Sequence, residues 1–307
     1  MYDIIIVGAG CAGLTAALYA RRAEKSVLVI EKDTFGGQIT FSPKVENYPG
    51  IKQMSGNEFA DMLVDQVLEQ GADIEPGTVT GISVEADGTK TVVTDTGDSY
   101  RAKAVILATG ARHRMLGVEG EAELVGHGIS FCAVCDGAFY KGAEVAVIGG
   151  GNSALQEAMQ LSDGCKKVTL VQNLDDFTGE ARLLEALKGR SNVEFITGTV
   201  VSGFISEGGE LRALRLTKEA DKSESILPVT GAFVAIGLAP DNKAFENVAP
   251  LDKWGYISTD ESCVLPENGL FAAGDCRSKA IRQLTTAAAD GSVAALAACR
   301  YIDGLAE

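Results

Sequence analysis

Apolar residues in this chain gather in short unbroken runs followed by glycine, rather than in long alternating stretches. Residues 3–7, DIIIV, form a continuous hydrophobic run suited to a parallel strand buried on both faces. The glycines after it open into LTAALYARRA, whose apolar positions recur at helical spacing, and SVLVI then forms a second buried strand ending at Glu31. Residues 34–56, TFGGQITFSPKVENYPGIKQMSG, are rich in Gly, Pro and polar side chains and predict a loop, wrapped over a ligand or simply on the surface. The spacing then predicts a helix over 57–70, with Phe59, Met62, Leu63 and Val67 on one face and Asn57 as its N-cap. From 72 to 110 the pattern becomes TVTGISVE, TKTVVT and a run ending at AVILATG, separated by ADG and TGD. That is a β-meander lying across the end of a sheet.

The chain then repeats itself. DIIIVGAGCAG at 3–13 is matched by EVAVIGGGNSA at 144–154, and VLVIEK at 27 by VTLVQN at 168, at the same offset of 141. GTV at 77 returns at 198 before another strand-turn-strand stretch, and AVILATGA at 104 resembles AFVAIGLA at 232. The later offsets shrink to 121 and 128, so the second copy lacks about twenty residues, close to the length of the 34–56 loop. After about residue 240 no third copy begins. A short apolar strand, LFAAGD, precedes an Ala-rich helix starting near Thr285, and this strand belongs naturally to the first sheet. The expected fold is α/β: two Rossmann-like three-layer nucleotide-binding domains, the second (113–242) inserted into a discontinuous first (1–112 and 243–307).

Each copy carries a phosphate-binding turn. Gly8, Gly10 and Gly13 make G-x-G-x-x-G between a strand and a helix, so a pyrophosphate can approach the helix N-terminus, and Glu31 stands where an acid binds a ribose hydroxyl. Gly149, Gly151 and Ala154 make the G-x-G-x-x-A variant, with Asn152 and Ser153 inside it. The second strand of that copy ends in Gln172-Asn173-Leu174-Asp175-Asp176, with neither arginines for a 2′-phosphate nor an acid at the first position for a 2′-hydroxyl, which leaves nucleotide choice open. Gly36, Gly37 and Gln38 can lie along a cofactor, as can the small residues Ala108, Thr109 and Gly110. Asp275, after LFAAG, is placed either near that ligand or as a turn residue.

Charge removes some partners. Forty-two acidic against 27 basic residues give a formal charge of −15, with no basic cluster, which repels nucleic acid. Met1 runs straight into the first strand without a basic leader or a membrane-length apolar stretch, so a cytoplasmic location is the default expectation. Seven cysteines are no secreted disulfide framework, and those at 11, 165, 263, 276 and 299 are expected as buried small hydrophobes.

Cys132 and Cys135 differ from these. Separated by two residues, with Asp136 beside the second sulfur, they can exchange electrons and protons together. Half of a zinc site is the competing reading, but zinc needs two further ligands and the chain offers only His113, His127 and unpaired cysteines, so no metal is expected. A purely structural disulfide fits a reducing compartment poorly. Asp136 can act as a proton donor or merely cap the following helix.

In order along the chain, GAGCAG, GGQI, VENYPG, ATGA, CAVCDGAFYKG, GGGNSA and FAAGD followed by Arg282-Gln283 resemble the low-molecular-weight thioredoxin reductase family over essentially the whole length. The resemblance implies FAD in the first domain, a nicotinamide nucleotide (NADH or NADPH) in the inserted one, and a redox disulfide between Cys132 and Cys135 that passes electrons to thioredoxin or a thioredoxin-like protein. It implies a homodimer, and it favours Cys135 as the cysteine facing the flavin. It extends the FAD site to Cys11, Ala12, Lys32, Asn47, Val79, Gly274, Arg282, Gln283 and Leu284, and the nucleotide site to Gln172 and Asn173. One departure stands out: the family's His-Arg-Arg run and further Arg, which hold the 2′-phosphate of NADPH, are matched here by Gln172, Asn173, Leu174 and Thr178. Relatives lacking those arginines take electrons from ferredoxin or hold another nucleotide. A ferredoxin- or flavin-fed disulfide reductase is therefore the alternative, and a non-catalytic flavin sensor a third reading. Because disulfide and nucleotide turn share the inserted domain, two domain orientations are expected.

Overall fold

The computed structural model describes residues 1–42 and 44–305. Pro43, inside the expected 34–56 loop, and the last two residues lie outside that range. The chain forms two compact units, Met1–Arg112 together with the chain from Ala239 onward, and His113–Leu238. No helix among the described residues is long and apolar enough to cross a membrane.

The first unit is built on a seven-stranded sheet in the order Asp73–Pro76, Val27–Glu31, Tyr2–Val7, Ser99–Leu107, Lys90–Thr94, Val79–Val84, with Leu270–Ala272 also pairing Ser99–Leu107. The unbroken run in Tyr2–Val7 follows from cover on both faces. Ile4 and Ile6 pack among the residues of the helices Cys11–Arg22 and Leu284–Gly304, whereas Ile5 and Val7 pack into the opposite cluster with Ile257 and Leu265. Ser99–Leu107 pairs antiparallel with Lys90–Thr94 at its start and parallel with Leu270–Ala272 at its end. The meander is therefore continuous with the sheet rather than laid across its end, and the late strand joins the first sheet as its sequence suggests. Gly291 lets the last helix cross the first closely, since a Cβ there would stand 2.2 Å from Ala12 O.

Two local expectations change. The helix over 57–70 spans Gly56–Glu69 and is capped by Ser55, not Asn57: Ser55 Oγ accepts the Glu58 N–H at 3.1 Å and the Glu58 carboxylate accepts the Ser55 N–H at 2.7 Å. This S-x-x-E box satisfies two amides at once. Its buried stripe follows Phe59 and Val67, while Met62 is 59% exposed because it falls off the i, i+4, i+8 line. The 34–56 segment contains a 3-10 turn at Gly37–Phe41 and an antiparallel bridge between Val45 and Met54.

The second unit carries five parallel strands in the order Val193–Ile196, Lys167–Val171, Glu144–Ile148, Gly231–Val234, Ile129–Ser130, beside a three-stranded antiparallel sheet of Thr199–Glu207, Glu210–Lys218 and Glu224–Pro228. The repeat holds to atomic detail. Gly8 N donates to Ile30 O and Gly149 N to Val171 O, while Cβ atoms at Gly8 and Gly149 would each stand 2.4 Å from a carbonyl oxygen, Ala108 and Ala235. Because Ile4 faces Ala104 and Val145 faces Gly231, the last strands correspond one residue earlier than the sequence match at 104 and 232 suggests. The outer strand differs in origin: it comes last in the first unit, at Leu270–Ala272, and first in the second, at Ile129–Ser130.

Candidate active site

Parallel strands deliver their carboxyl ends to one edge of a sheet, and ligands collect there. In the second unit that edge carries Gly149 after Ile148, Gln172 after Val171, Ala235 after Val234, and Cys132 two residues after Ser130. The cysteines form a disulfide with Cα atoms 5.3 Å apart, at the head of the short helix Ala133–Asp136. Cys132 Sγ accepts the Cys135 N–H at 3.2 Å, a contact that favours negative charge on Cys132.

Asp136 is tied into this turn from the strand side. Ser130 Oγ donates to Asp136 Oδ2 at 2.6 Å and accepts the Cys132 N–H at 3.1 Å. Asp136 makes no side-chain cap to the 3-10 segment Gly137–Tyr140, which removes the capping reading. Its Oδ1 is buried without a hydrogen-bond partner. Burial holds this carboxyl above the usual range, against the lowering effect of the Ser130 hydroxyl. A buried acid that keeps its proton longer than usual beside a disulfide is suited to protonating a sulfur anion.

The second glycine turn lies on the same edge. Gly151 is the N-cap of the helix Asn152–Ser162 and no side chain caps it, so the first-turn amides suit a phosphate. Ser153 is exposed there and Ala154 buried. The segment after Val171 folds back over the other side of the turn: Thr178 N and Gly179 N both donate to Gly150 O, and Asn152 Oδ1 accepts the Glu180 N–H at 2.7 Å. Gln172 is 4% exposed and lies against Gly150, where a Cβ would stand 2.2 Å from its amide nitrogen. It points into the turn rather than out to a ribose. Asn173 is exposed and lines a cavity with Leu174, Asp175, Gly198, Val200 and Glu219, a lining with two carboxylates and no cation.

The first unit gathers its candidate residues at the corresponding edge. Gly13 is obligatory, since a Cβ would stand 1.8 Å from Gly8 O. Gly10 is the uncapped N-cap of Cys11–Arg22 and is bridged by Gly36, whose N–H donates to Ala9 O, while Gly37 packs on Gly10. Glu31 accepts the Ala9 and Asp33 N–H groups, one on each oxygen, leaving a lone pair on each for a hydroxyl. Cys11 Sγ donates to Leu284 O at 3.5 Å, Ala12 lies against Gly274, and Asn47 Nδ2 donates to Gln283 Oε1 at 3.3 Å. Thr109 bonds Asn242, and Gly110, at φ +67°, has open space where a side chain would project. Asp275 is no simple turn residue: its Oδ1 is buried without a partner, and burial raises its carboxyl to about 6. Arg282 donates to Asp275 O and lies over the Tyr256 ring. Three candidates stand apart. Lys32 pairs with Asp241, Gln38 is exposed, and Val79 is buried in the core. Cys11, Cys165, Cys263, Cys276 and Cys299 are free and buried.

Several contributors lay beyond the sequence pattern. Ser130 sits in a two-residue strand too short to show alternation, and Asn242, 1% exposed, holds Thr109, Gly255 O and Cys276 O. Glu157, an acid within the Asn152–Ser162 helix, has a buried unpartnered Oε2. Its position three residues after the buried Ala154 and four before the buried Leu161, along the helix's buried side, was the available signal.

The pyridine nucleotide-disulphide oxidoreductase family matches residues 2–291, and the chain belongs to this family. Within it the chain is one of the low-molecular-weight thioredoxin reductases. It is 42% identical over 307 residues to the thioredoxin reductase of Listeria monocytogenes serovar 1/2a, covering 100% of this chain and 96% of that one. It is 39% identical over 308 residues to that of Bacillus subtilis strain 168, with the same coverage. The structure of thioredoxin reductase from Streptococcus pyogenes MGAS5005 matches with a TM-score of 0.94 at 36% identity, covering 99% of both chains. The protein is accordingly an FAD-dependent oxidoreductase of the pyridine nucleotide-disulphide class. The first-unit residues fit FAD: an uncapped helix N-terminus suits its pyrophosphate, Glu31 keeps free lone pairs, and the orphaned Asp275 oxygen suits a hydroxyl donor.

Proposed function

We propose that this protein reduces the disulfide of thioredoxin or a thioredoxin-like protein, with electrons passing from NADH or NADPH through FAD to Cys132 and Cys135. The observation that carries the reading is the Cys132–Cys135 disulfide with a buried, proton-retaining Asp136 bound through Ser130 to the same turn. In this reading Gly8, Gly10, Gly13, Glu31, Gly36, Gly37, Thr109, Gly110, Asp275, Arg282 and Gln283 hold FAD. Gly149, Gly151, Asn152 and Ser153 hold the nucleotide pyrophosphate. When bound, FAD supplies the two-electron relay between a nicotinamide and a disulfide. Asp136 gives a proton to Cys135 as the sulfur–sulfur bond opens. Cys132, whose sulfur accepts the Cys135 N–H, remains the thiolate and attacks the partner's disulfide. Disulfide and nucleotide turn lie in one unit and the FAD residues in the other.

The chain acts in the cytoplasm as a homodimer, supported by the exposed apolar residues Val293 and Leu296, one turn apart on the last helix. A second reading, supply by ferredoxin or another flavin, is favoured by the inward Gln172 and by Leu174 and Thr178, which offer no charge to a 2′-phosphate. Mixing the FAD-loaded protein anaerobically with NADH, NADPH and reduced ferredoxin, and following flavin absorbance, separates the two. Rapid bleaching by a nicotinamide supports the first. Bleaching by ferredoxin alone replaces it with the second.

A further inference from the structure

Two buried carboxylate oxygens in the second unit have no hydrogen-bond partner, Asp136 Oδ1 and Glu157 Oε2. Their elements pack together. Gln160 Nε2 donates to Ala133 O, between the two cysteines, at 3.2 Å, and a Cβ on Gly137 would stand 3.2 Å from Leu161. Glu157 precedes Gln160 and Leu161 by three and four residues, so it lies on the helix face turned to the redox turn. Two carboxylates sharing a low-dielectric site cannot both ionise cheaply. Burial, and after it the charge of Asp136, pushes the Glu157 carboxyl up to about 8. Tyr140, on the adjoining 3-10 segment, is raised to about 12 by burial and by Asp136, so it stays neutral. From the other elements packed on this helix, Lys188 of Ala181–Lys188 pairs with Glu185, Arg182 is exposed, and the strand residues Glu144 and Lys167 pair with Lys166 and Glu194. None of these cations forms an ion pair with Glu157. The residue as a whole is only half-buried, so its other side reaches water.

We propose that Glu157 is the proton reserve of the redox site, holding a proton beside Asp136 and returning it to Asp136 once that residue has protonated a sulfur. Resting on the electron route proposed above, the step balances. An electron pair from NAD(P)H enters the Cys132–Cys135 bond, which breaks to give two sulfur anions. Asp136 protonates Cys135 and becomes a carboxylate, and Cys132 stays a thiolate. The Glu157 carboxyl then passes its proton to Asp136 by way of a water molecule, since the two orphaned oxygens are not bonded to each other; the proton of the transferred hydride leaves to solvent, and solvent reprotonates Glu157. Glu157 acts through Asp136 and touches neither sulfur nor substrate.

Two measurements on the FAD-loaded protein test this, using Glu157→Gln, a neutral isostere, and Glu157→Asp. The first is the infrared difference between the oxidised protein and protein reduced by dithiothreitol, without nucleotide or thioredoxin. A protonated-carboxyl signal present in the wild type should vanish in Glu157→Gln and return, shifted, in Glu157→Asp. An unchanged carboxyl region in Glu157→Gln overturns the proposal. The second is the pH profile of NAD(P)H-dependent thioredoxin reduction. Glu157→Gln should lose about tenfold at pH 8, within the range of a proton-transfer contribution, and much less at pH 6, where solvent protons refill Asp136 directly. A loss equal at both pH values marks a packing role and also overturns it. Absent turnover with a retained Glu157 infrared signal refutes the electron route but not the proton reserve.

Discussion

The hydroxyl of Ser130 bridges acid and disulfide: it donates to Asp136 Oδ2 at 2.6 Å and accepts the Cys132 N–H at 3.1 Å. One side chain thus sets both the proton affinity of Asp136 and the position of the first cysteine. A donor to a carboxylate stabilises its ionised form, so this bond lowers the Asp136 carboxyl while burial raises it.

Ser130→Ala removes the lowering contribution, and the Asp136 carboxyl should then titrate at higher pH. Asp136 acts in its protonated form, so activity is lost as pH rises through its titration. The alkaline limb of the turnover profile should therefore move upward in Ser130→Ala, with about 1 kcal/mol lost in unfolding free energy for the missing hydrogen bond. Rate measurements across pH, with denaturant unfolding alongside, check both.

Asp136→Asn keeps the shape of the side chain but removes its proton. Because Asp136 does not cap Gly137–Tyr140, the change should leave folding intact and slow thiol–disulfide exchange about 100-fold. Pre-steady-state exchange with thioredoxin measures it. An unaltered rate would sink the assignment of Asp136 as the proton donor.

The cavity beside Asn173 and Leu174 bears Asp175 and Glu219 and no cation in its lining, so a 2′-phosphate finds repulsion where it needs charge-assisted bonds. NADH should bleach the flavin faster than NADPH at equal concentration. Paired Leu174→Arg and Thr178→Arg substitutions should lower KM for NADPH by about tenfold or more and leave KM for NADH nearly unchanged, given the strength of Arg–phosphate pairs.

Glu157 also makes stability depend on pH. A glutamate carboxyl ordinarily titrates at 4.5, and that of Glu157 titrates at about 8 in the folded chain. Between those values the folded state holds one proton more than the unfolded state, and stability falls as pH rises through the window. Glu157→Gln removes this dependence. Its unfolding temperature should exceed that of the wild type at pH 8 and match it near pH 4, as thermal melts at the two pH values will show.

The sequence by itself determined the two glycine turns, their repeat at an offset of 141, the Cys-x-x-Cys-Asp segment and the absence of the arginines that hold a 2′-phosphate. These are local signals, because a tight turn, a short disulfide or a charge-bearing side chain is specified within a few residues. The buried strands were legible for the same reason, since Ile4, Ile5 and Ile6 must all be apolar when both faces are covered. Local pattern misplaced one cap, because Asn57 and Ser55 are both competent and only Ser55 stands three residues before Glu58.

Only the tertiary structure decided which strand lies beside the redox turn. Ile129–Ser130 is two residues long, without measurable periodicity, and it becomes a strand by pairing with Ala232 and Phe233, far downstream in the chain. That pairing sets Cys132 at the same sheet edge as Gly149 and gives Asp136 its Ser130 partner. The inward turn of Gln172 onto Gly150 and the approach of Glu157 to the Cys135–Asp136 turn were likewise invisible in the chain. Each depends on residues distant in sequence, Gln172 against Gly150 and Gln160 bonded to Ala133 O, where neither residue type nor spacing records the neighbour that burial will supply.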